Sequence, residues 1–361
     1  MILMALDHTR DFFGTPVDLH TAPLGLWLTR WVTHYCAPVF VFLAGMSAYL
    51  QGRRLGSTPA LSAFLLKRGL WLVLLEVTVV RAAWSLQFGP GDGVLQVIWA
   101  IGVAMIVLAA LVWLPRAVIG AVALAIVVGH NHWDPVHAEA FGDLRWLWVM
   151  LHEGGPLVPF DGARWFVAYP AIPWIAVMAG GYAMGPWALR SRAERRARFL
   201  GAGLAVTGGF LILRATNLYG DPHPWSTDGG PLRAALSFLD CEKYPPSLLY
   251  LAMTLGPAWC VLAWLDRPLG PWATRVAIYG RVPLFYYVLH LLLIHGLAIA
   301  LAWPVLGGEA LTRQYMPFGG LAWPLPGVYA MWIAVVLLLY PACRWFADVK
   351  RRNPSPWLSY L

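Results

Sequence analysis

The sequence predicts an all-α, polytopic transmembrane helix bundle of about ten spans. Three observations carry that expectation. Hydrophobic residues make up 59% of the 361 positions, and the mean hydropathy is +0.61. Charged residues are only 12%, about half of the roughly 25% that a soluble domain carries. The 21 Trp and 14 Tyr are of the types that collect where a bilayer meets water. The same composition excludes an ordinary soluble enzyme. It also excludes disorder, which needs low hydrophobicity and high charge.

A bilayer core is crossed by about 20 apolar residues in a helix. Windows of that length place apolar stretches at 1–13, 32–50, 69–88, 94–114, 117–130, 165–187, 200–215, 246–265, 277–303 and 328–346. The first is short for a crossing, and Met1 is followed at once by apolar residues. This predicts a first helix shortened at its N-terminus by a late start. It does not read as a signal peptide, because a basic leading region and a small-residue cleavage site are missing. The stretch 117–130 is also short, and reads as tilted or as extending past His130. The chain from 1 to 361 reads as one integral domain.

The connections sort by charge. With the N-terminus inside, sixteen of the 26 Lys and Arg fall on the inner side, while 13 of the 18 Asp and Glu fall outside. Cytoplasmic loops carry such an excess of basic residues. The pattern predicts an even number of spans with both termini in the cytoplasm, and so a multi-pass membrane protein. The run RSRAERRARF (190–199) is then a cytoplasmic loop. The net charge of +8 therefore points to membrane topology, with the lipid bilayer as partner and no nucleic acid. The outer loops, near 14–31, 131–164, 216–245 and 304–327, are the long ones. Long loops in a compact protein are more often functional than connective, so the working face is expected to look outward.

Ionisable residues inside apolar spans are the main functional signal, since each costs roughly 2.5–3.5 kcal/mol at a helix centre. Here they are Asp7, His8, Arg10 and Asp11 in the first span, Arg30 and His34 at the start of the second, and Glu76 and Arg81 in the third. Arg214 follows in the seventh, then Arg281, His290 and His295 in the ninth. With Lys243 and Tyr244 opening the eighth span, most of these fall in the outer half of the bilayer. Such a layer predicts one polar cavity opening outward. Arg281 lies near the inner end of its span, closer to cytoplasmic solutes.

Spacing refines the first cluster. Asp7 and Asp11 are four apart and share a helix face, and Asp7 can pair with Arg10 three residues on. His8 points about 100° away from Asp7. A histidine near carboxylates is a candidate base or nucleophile. The same residues also read as a polar network that closes the helix ends, and His34 divides evenly between the two roles. His290 and His295 are five apart and do not make an i,i+4 metal pair, which leaves a hydrogen-bonded core role or catalysis. HNHWD (130–134) lacks a second ligand group at set spacing, so no metal is expected. The four cysteines, Cys36, Cys241, Cys260 and Cys343, show no metal spacing and read as small buried hydrophobes. Proline pairs in YPAIPW (169–174) and KYPPS (243–247) mark helix starts. NLYGDPHPW (217–225) reads as a lid loop.

Several stretches together resemble a known family. They are MALDHTRDFF (4–13), RWVTHYCAPVFVFLAG (30–45), KRGLWLVLLEVTVVR (67–81), QVIWAIG (96–102), RATNLYGDPHPW (214–225), KYPPSLL (243–249) and GRVPLFYYVLHLLLIH (280–295). They resemble a largely uncharacterised bacterial membrane family similar to heparan-alpha-glucosaminide N-acetyltransferase, in the transmembrane acyltransferase superfamily. The resemblance covers nearly the whole chain. It implies transfer of an acetyl group from cytoplasmic acetyl-CoA to an amine or hydroxyl at the outer face, on a small-molecule or glycan acceptor such as an envelope sugar. It also implies a histidine as acyl carrier or general base, between the first two helices. That segment holds His8, His20 and His34, of which His8 and His34 have the more polar surroundings. On this reading Asp7 or Asp11 orients the histidine. Arg281 meets the nucleotide end of acetyl-CoA. Arg10, Arg30, Arg81, Arg214, Lys243 and Tyr244 bind an anionic acceptor or stabilise the oxyanion.

Two other functions compete. The intramembrane charges also suit a transporter or permease for a small anionic solute, although no inverted repeat is visible. A haem- or quinone-binding membrane anchor is the other.

Overall fold

The computed structural model describes residues 1–14, 22–86, 88–89, 91–158, 163–311, 322–353, 355 and 358. Helices follow one another almost without interruption. They are α1 (Ile2–Phe13), α2 (Leu24–Thr33), α3 (Cys36–Leu55), α4 (Thr58–Leu75) and, after a π-helical turn at Glu76–Val80, α5 (Arg81–Ser85). Next come strand β1 (Gly93–Leu95), α6 (Val97–Leu111), α7 (Arg116–Gly129) and the short α8 (Arg145–Trp148). Strands β2 (Gly155–Leu157) and β3 (Trp165–Val167) precede α9 (Ala171–Met184), α10 (Arg192–Thr216), α11 (Pro231–Leu239) and α12 (Leu248–Leu265). The chain closes with α13 (Pro271–Arg281), α14 (Pro283–Leu306) and α15 (Leu325–Arg352). The all-α class expected from composition holds.

Among the described residues, five helical stretches are long and apolar enough to cross a membrane: Leu24–Leu55, Arg192–Thr216, Leu248–Leu265, Pro283–Leu311 and Leu325–Arg352. A sixth forms if Arg116–Trp133 and Ala138–Glu153, bent by 107°, count as one. The expected ten spans are therefore not carried by the structure. Hydropathy windows average over backbone breaks. The stretch 94–114 opens on β1 and leaves a helix of 15 residues, and 165–187 opens on β3 and leaves one of 14. At 1.5 Å per residue these reach about 22 Å, short of a core about 30 Å thick. The same arithmetic applies to α1, with 12 residues. The chain is nevertheless a multi-pass membrane protein.

The chain folds as two compact units. The first comprises Met1–Cys36, Thr78–Gly89 and Pro268–Leu361, and the second comprises Ala37–Val77 and Pro90–Arg267.

In the first unit α1 lies against α2, α14 and α15, and α14 also contacts α5. Polar pins join these helices. The Trp332 indole donates to Ile2 O at 2.8 Å. The Tyr279 hydroxyl donates to Val336 O at 2.8 Å, and the Trp323 amide donates to Phe13 O at 2.7 Å. In lipid such bonds replace those that water would supply.

The second unit packs through small residues, which let helix backbones approach where lipid offers no hydrophobic drive. A Cβ on Gly69 of α4 would lie 2.6 Å from Gly102 O on α6, and one on Gly102 would lie 2.9 Å from Gly69 O. The strands form one small sheet in the order β1-β3-β2, with Val94 opposite Phe166 in a parallel pair and Pro156 opposite Phe166 in an antiparallel one. An apolar groove of about 430 Å³ lies among α7, α9, α10 and α12 and is lined by residues such as Leu124, Gly180, Phe210 and Trp259.

Candidate active site

The first unit gathers most of the expected site residues: Asp7, His8, Arg10, Asp11, Arg30, His34, Arg81, Arg281, His290 and His295. Glu76, Arg214, Lys243 and Tyr244 belong to the second. His20 lies outside the described residues.

His8 is the centre of the first group. It is buried on α1, and its Nδ1 lies 2.7 Å from Nε2 of His290 on α14. The two imidazoles are nearly parallel, with centroids 4.9 Å apart and planes at 13°. His290 is fully buried, and its Nδ1 lies 2.9 Å from Tyr286 O one turn back. The Tyr286 ring stacks on His290 at 5.1 Å and 7°. Trp84 and Tyr287 present edges to His8 at 4.9 and 6.0 Å. His295 does not join this contact. Its Nδ1 donates to Ala83 O at 2.9 Å, and Phe12 lies 4.8 Å from its ring.

The acidic residues of α1 face other neighbours. Arg10 Nη2 sits 3.0 Å from Asp7 Oδ1 and 2.8 Å from Asp11 Oδ1. Thr33 Oγ1 on α2 lies 2.9 Å from Asp7 Oδ1 and 2.8 Å from Arg30 O. Arg30 is half-buried on α2, and His34 is buried where α2 gives way to α3. Buried Arg81 starts α5 and donates to Gly89 O at 2.7 Å. Arg281 is the exposed last residue of α13, directly before α14.

In the second unit the charges hold the backbone. Buried Glu76 accepts from the Gln96 and Trp99 amides, each at 3.1 Å. These are orphan donors at the start of α6, and the side-chain oxygens of Glu76 satisfy them. Arg214 is buried at the end of α10. Its guanidinium donates to the carbonyls of Phe238 (3.0 Å), His223 (2.8 Å), Ser237 (2.9 Å) and Asp240 (2.7 Å), with Asp221 Oδ1 at 3.6 Å. Asp221 also accepts from Ser247 Oγ at 2.7 Å. The segment 217–247, which contains α11, is therefore pinned to the end of α10 by a buried cation. Cys241 sits in this segment. Burial pushes its thiol up to about 12 against the pull of Arg214, so it stays protonated and is a poor nucleophile. Lys243 Nζ stands 4.8 Å over the Tyr244 ring, which packs edge-on against Tyr169 at 5.5 Å.

The HNHWD segment ties loops together. His130 Nε2 lies 2.9 Å from Pro246 O, and Asn131 Oδ1 accepts from the Leu248 amide at 2.8 Å. Among the described residues no group of three or more His, Cys, Asp or Glu is placed to hold a metal ion. Buried His152 stands beside Asp134, with Nε2 to Oδ1 at 3.3 Å. Sequence reasoning passed over it, because a lone His before Glu153 on an outer loop carries no spacing signal. It also passed over Trp84, Tyr286 and Tyr287. Tyr286 and Tyr287 stand four and three residues before His290, and their one signal is that helical spacing.

The family model for heparan-alpha-glucosaminide N-acetyltransferase, catalytic, matches residues 1–213. The chain belongs to that family. No curated protein matches it, and no solved structure does. This heparan-alpha-glucosaminide N-acetyltransferase family is a family of transmembrane acetyltransferases. The matched stretch holds His8, His20, His34, Glu76 and Arg81, whereas Arg281, His290 and His295 follow it.

Proposed function

We propose that the chain is a multi-pass acyltransferase of a bacterial inner membrane. It moves an acetyl group from cytoplasmic acetyl-CoA to an amine or hydroxyl of a sugar or envelope glycan, with His8 as the basic centre. One observation carries this reading. Within the stretch that matches the family, His8 is buried on α1 and paired at 2.7 Å with a second histidine. A lone buried imidazole is commonly a core residue. A buried imidazole pair with a defined hydrogen bond has the form of an acid–base device.

The other residues of the first unit take supporting roles. Arg281, exposed at the end of α13, meets the phosphates of the donor. Asp7 and Asp11, bridged by Arg10, form an ion-paired cluster with an excess carboxylate that orients the acceptor, and Arg30 and Arg81 supply positive potential for the oxyanion. His34 is the second candidate base. Arg214 and Glu76 hold the backbone of the second unit.

The test is acetyl transfer from labelled acetyl-CoA to a hexosamine acceptor by full-length protein in proteoliposomes. His8→Ala is expected to lower kcat by about 100-fold or more, and Arg281→Ala to raise the KM for acetyl-CoA. Full activity in a folded His8→Ala variant refutes the assignment. Loss confined to His20→Ala or His34→Ala moves the role to that residue. Uptake of an anionic solute without any acetyl donor would instead establish the transporter reading.

A further inference from the structure

We infer that His290 is a positioning residue: it locks the tautomer of His8 so that Nε2 of His8 is the reacting nitrogen. The inference rests on the acyl-transfer reading above.

Tyr286, His290 and His8 form a chain of acceptors and donors. The Tyr286 carbonyl can only accept, and His290 Nδ1 lies 2.9 Å from it. His290 Nδ1 therefore carries a hydrogen. A neutral imidazole carries one, so His290 Nε2 holds a lone pair. That lone pair faces His8 Nδ1 at 2.7 Å, so His8 Nδ1 must be the donor. His8 then keeps its own lone pair on Nε2. One backbone carbonyl of α14 thus sets the protonation pattern of a side chain on α1. The ring of His290 cannot rotate away, because it is fully buried and stacked on Tyr286.

The arrangement fits the reaction. His8 Nε2 takes the proton from the acceptor N–H or O–H as the acceptor's lone pair forms a bond to the thioester carbonyl carbon. The tetrahedral intermediate then breaks its C–S bond. Sulfur leaves with the electron pair and takes the proton from His8 Nε2, giving acylated acceptor and free thiol. Between the two transfers His8 is an imidazolium whose Nδ1–H remains donated to His290. The positive charge is thus met by a preformed acceptor, and no reorganisation is needed at that moment. A carboxylate plays this part in Ser-His-Asp triads, where the wrong tautomer costs several orders of magnitude. A neutral histidine does so here without adding a buried charge.

The experiment uses the full chain with three variants, His8→Ala, His290→Phe and His290→Gln, and measures kcat and the KM for acetyl-CoA. It also records the ¹⁵N shifts of the His8 ring in histidine-labelled wild type and His290→Phe. His290→Phe keeps a ring of similar shape but has no acceptor. Its kcat is expected to fall on the order of 100-fold with KM unchanged. His290→Gln offers a carbonyl acceptor and is expected to recover part of that loss. In wild type His8 should be protonated on Nδ1 only, and in His290→Phe it should become a mixture. An active His290→Phe beside an inactive His8→Ala overturns the inference and leaves the acyl-transfer reading standing. An active His8→Ala overturns both. Should His290→Phe fail to fold, the wild-type spectrum decides, and a His8 protonated on Nε2 overturns the inference.

Discussion

Glu76 shows how one residue type serves two purposes in a membrane helix. A charge in an apolar span is a functional signal by default, and Glu76 stands with His8 on that criterion. Its carboxylate nevertheless answers the amides of Gln96 and Trp99 at the start of α6. Glu76→Gln turns one of its two acceptor atoms into a donor that faces an amide. We expect stability to drop by about 1–3 kcal/mol, read as a lower unfolding midpoint in detergent. An unchanged midpoint would show that the carboxylate does not cap α6. Arg214 belongs to the same class. Its fork reaches four carbonyls of the segment 217–247, two of them on α11, and Lys offers a point charge on a flexible stem. Arg214→Lys should therefore destabilise by about 1–3 kcal/mol and speed proteolysis within 217–247. Retained protease resistance would count against the pin. Asp7 and His8 are adjacent in sequence and serve different neighbours, because successive helix positions diverge by about 100°. That divergence is legible from spacing. The identity of the partners is not, since Thr33 and His290 lie 26 and 282 positions away.

At the scale of elements, close helix approach depends on missing side chains. Gly69 and Gly102 meet backbone to backbone across α4 and α6. Gly69→Leu must push the helices apart, and overpacking of this kind costs typically 1–3 kcal/mol and occasionally more. The expected outcome is a lower midpoint and a poorer yield of folded protein, whereas Gly201→Leu on α10, which meets open space, should be silent. Equal behaviour of the two would remove the packing argument. The ends of α10 and α12 are joined differently. Arg195 grips Asp266 with both carboxylate oxygens, at 2.6 and 2.7 Å. Arg195 beside Asp266 holds this carboxyl below the usual carboxylate range. A depressed pKa adds stability above the ordinary carboxylate value, and that stability is lost as pH falls through the lowered one. Wild type should therefore be more stable than Asp266→Asn at neutral pH. The difference should be small, because the pair is partly exposed, and it should close in strong acid. A difference that grows on acidification would contradict the assignment. Span count belongs to this scale too. Hydropathy located the apolar stretches but could not see that 93–95 and 165–167 pair as strands. Pairing is a property of two segments and leaves no trace in either.

For the whole molecule, the measure of the proposed function is whether the fold as a unit responds to acetyl-CoA. A ligand that binds only the folded state stabilises it by about 2.7 kcal/mol at a hundredfold excess over Kd. Acetyl-CoA should therefore raise the unfolding midpoint of the intact protein, ATP should not, and Arg281→Ala should lose the effect. A folded wild type that ignores acetyl-CoA would remove the donor. The first unit is assembled from Met1–Cys36, Thr78–Gly89 and Pro268–Leu361, so its imidazole pair joins the first helix to the fourteenth. The family match stops at 213, before His290. No reading of the matched stretch alone could supply the partner of His8.

By itself the sequence determined the class of solvent, the helical class and the family. Each is a sum over many residues or a local pattern: apolar content, hydropathy windows, and motifs such as APVFVFLAG. It also determined which side chains were costly enough to need a reason. Tertiary structure alone decided what those reasons are. It sent Glu76 to a helix start, Arg214 to the segment 217–247 and His8 to His290. The physical cause is common to all three. A buried polar group is worth its place only through partners, and partners are brought together by packing between segments far apart in the chain.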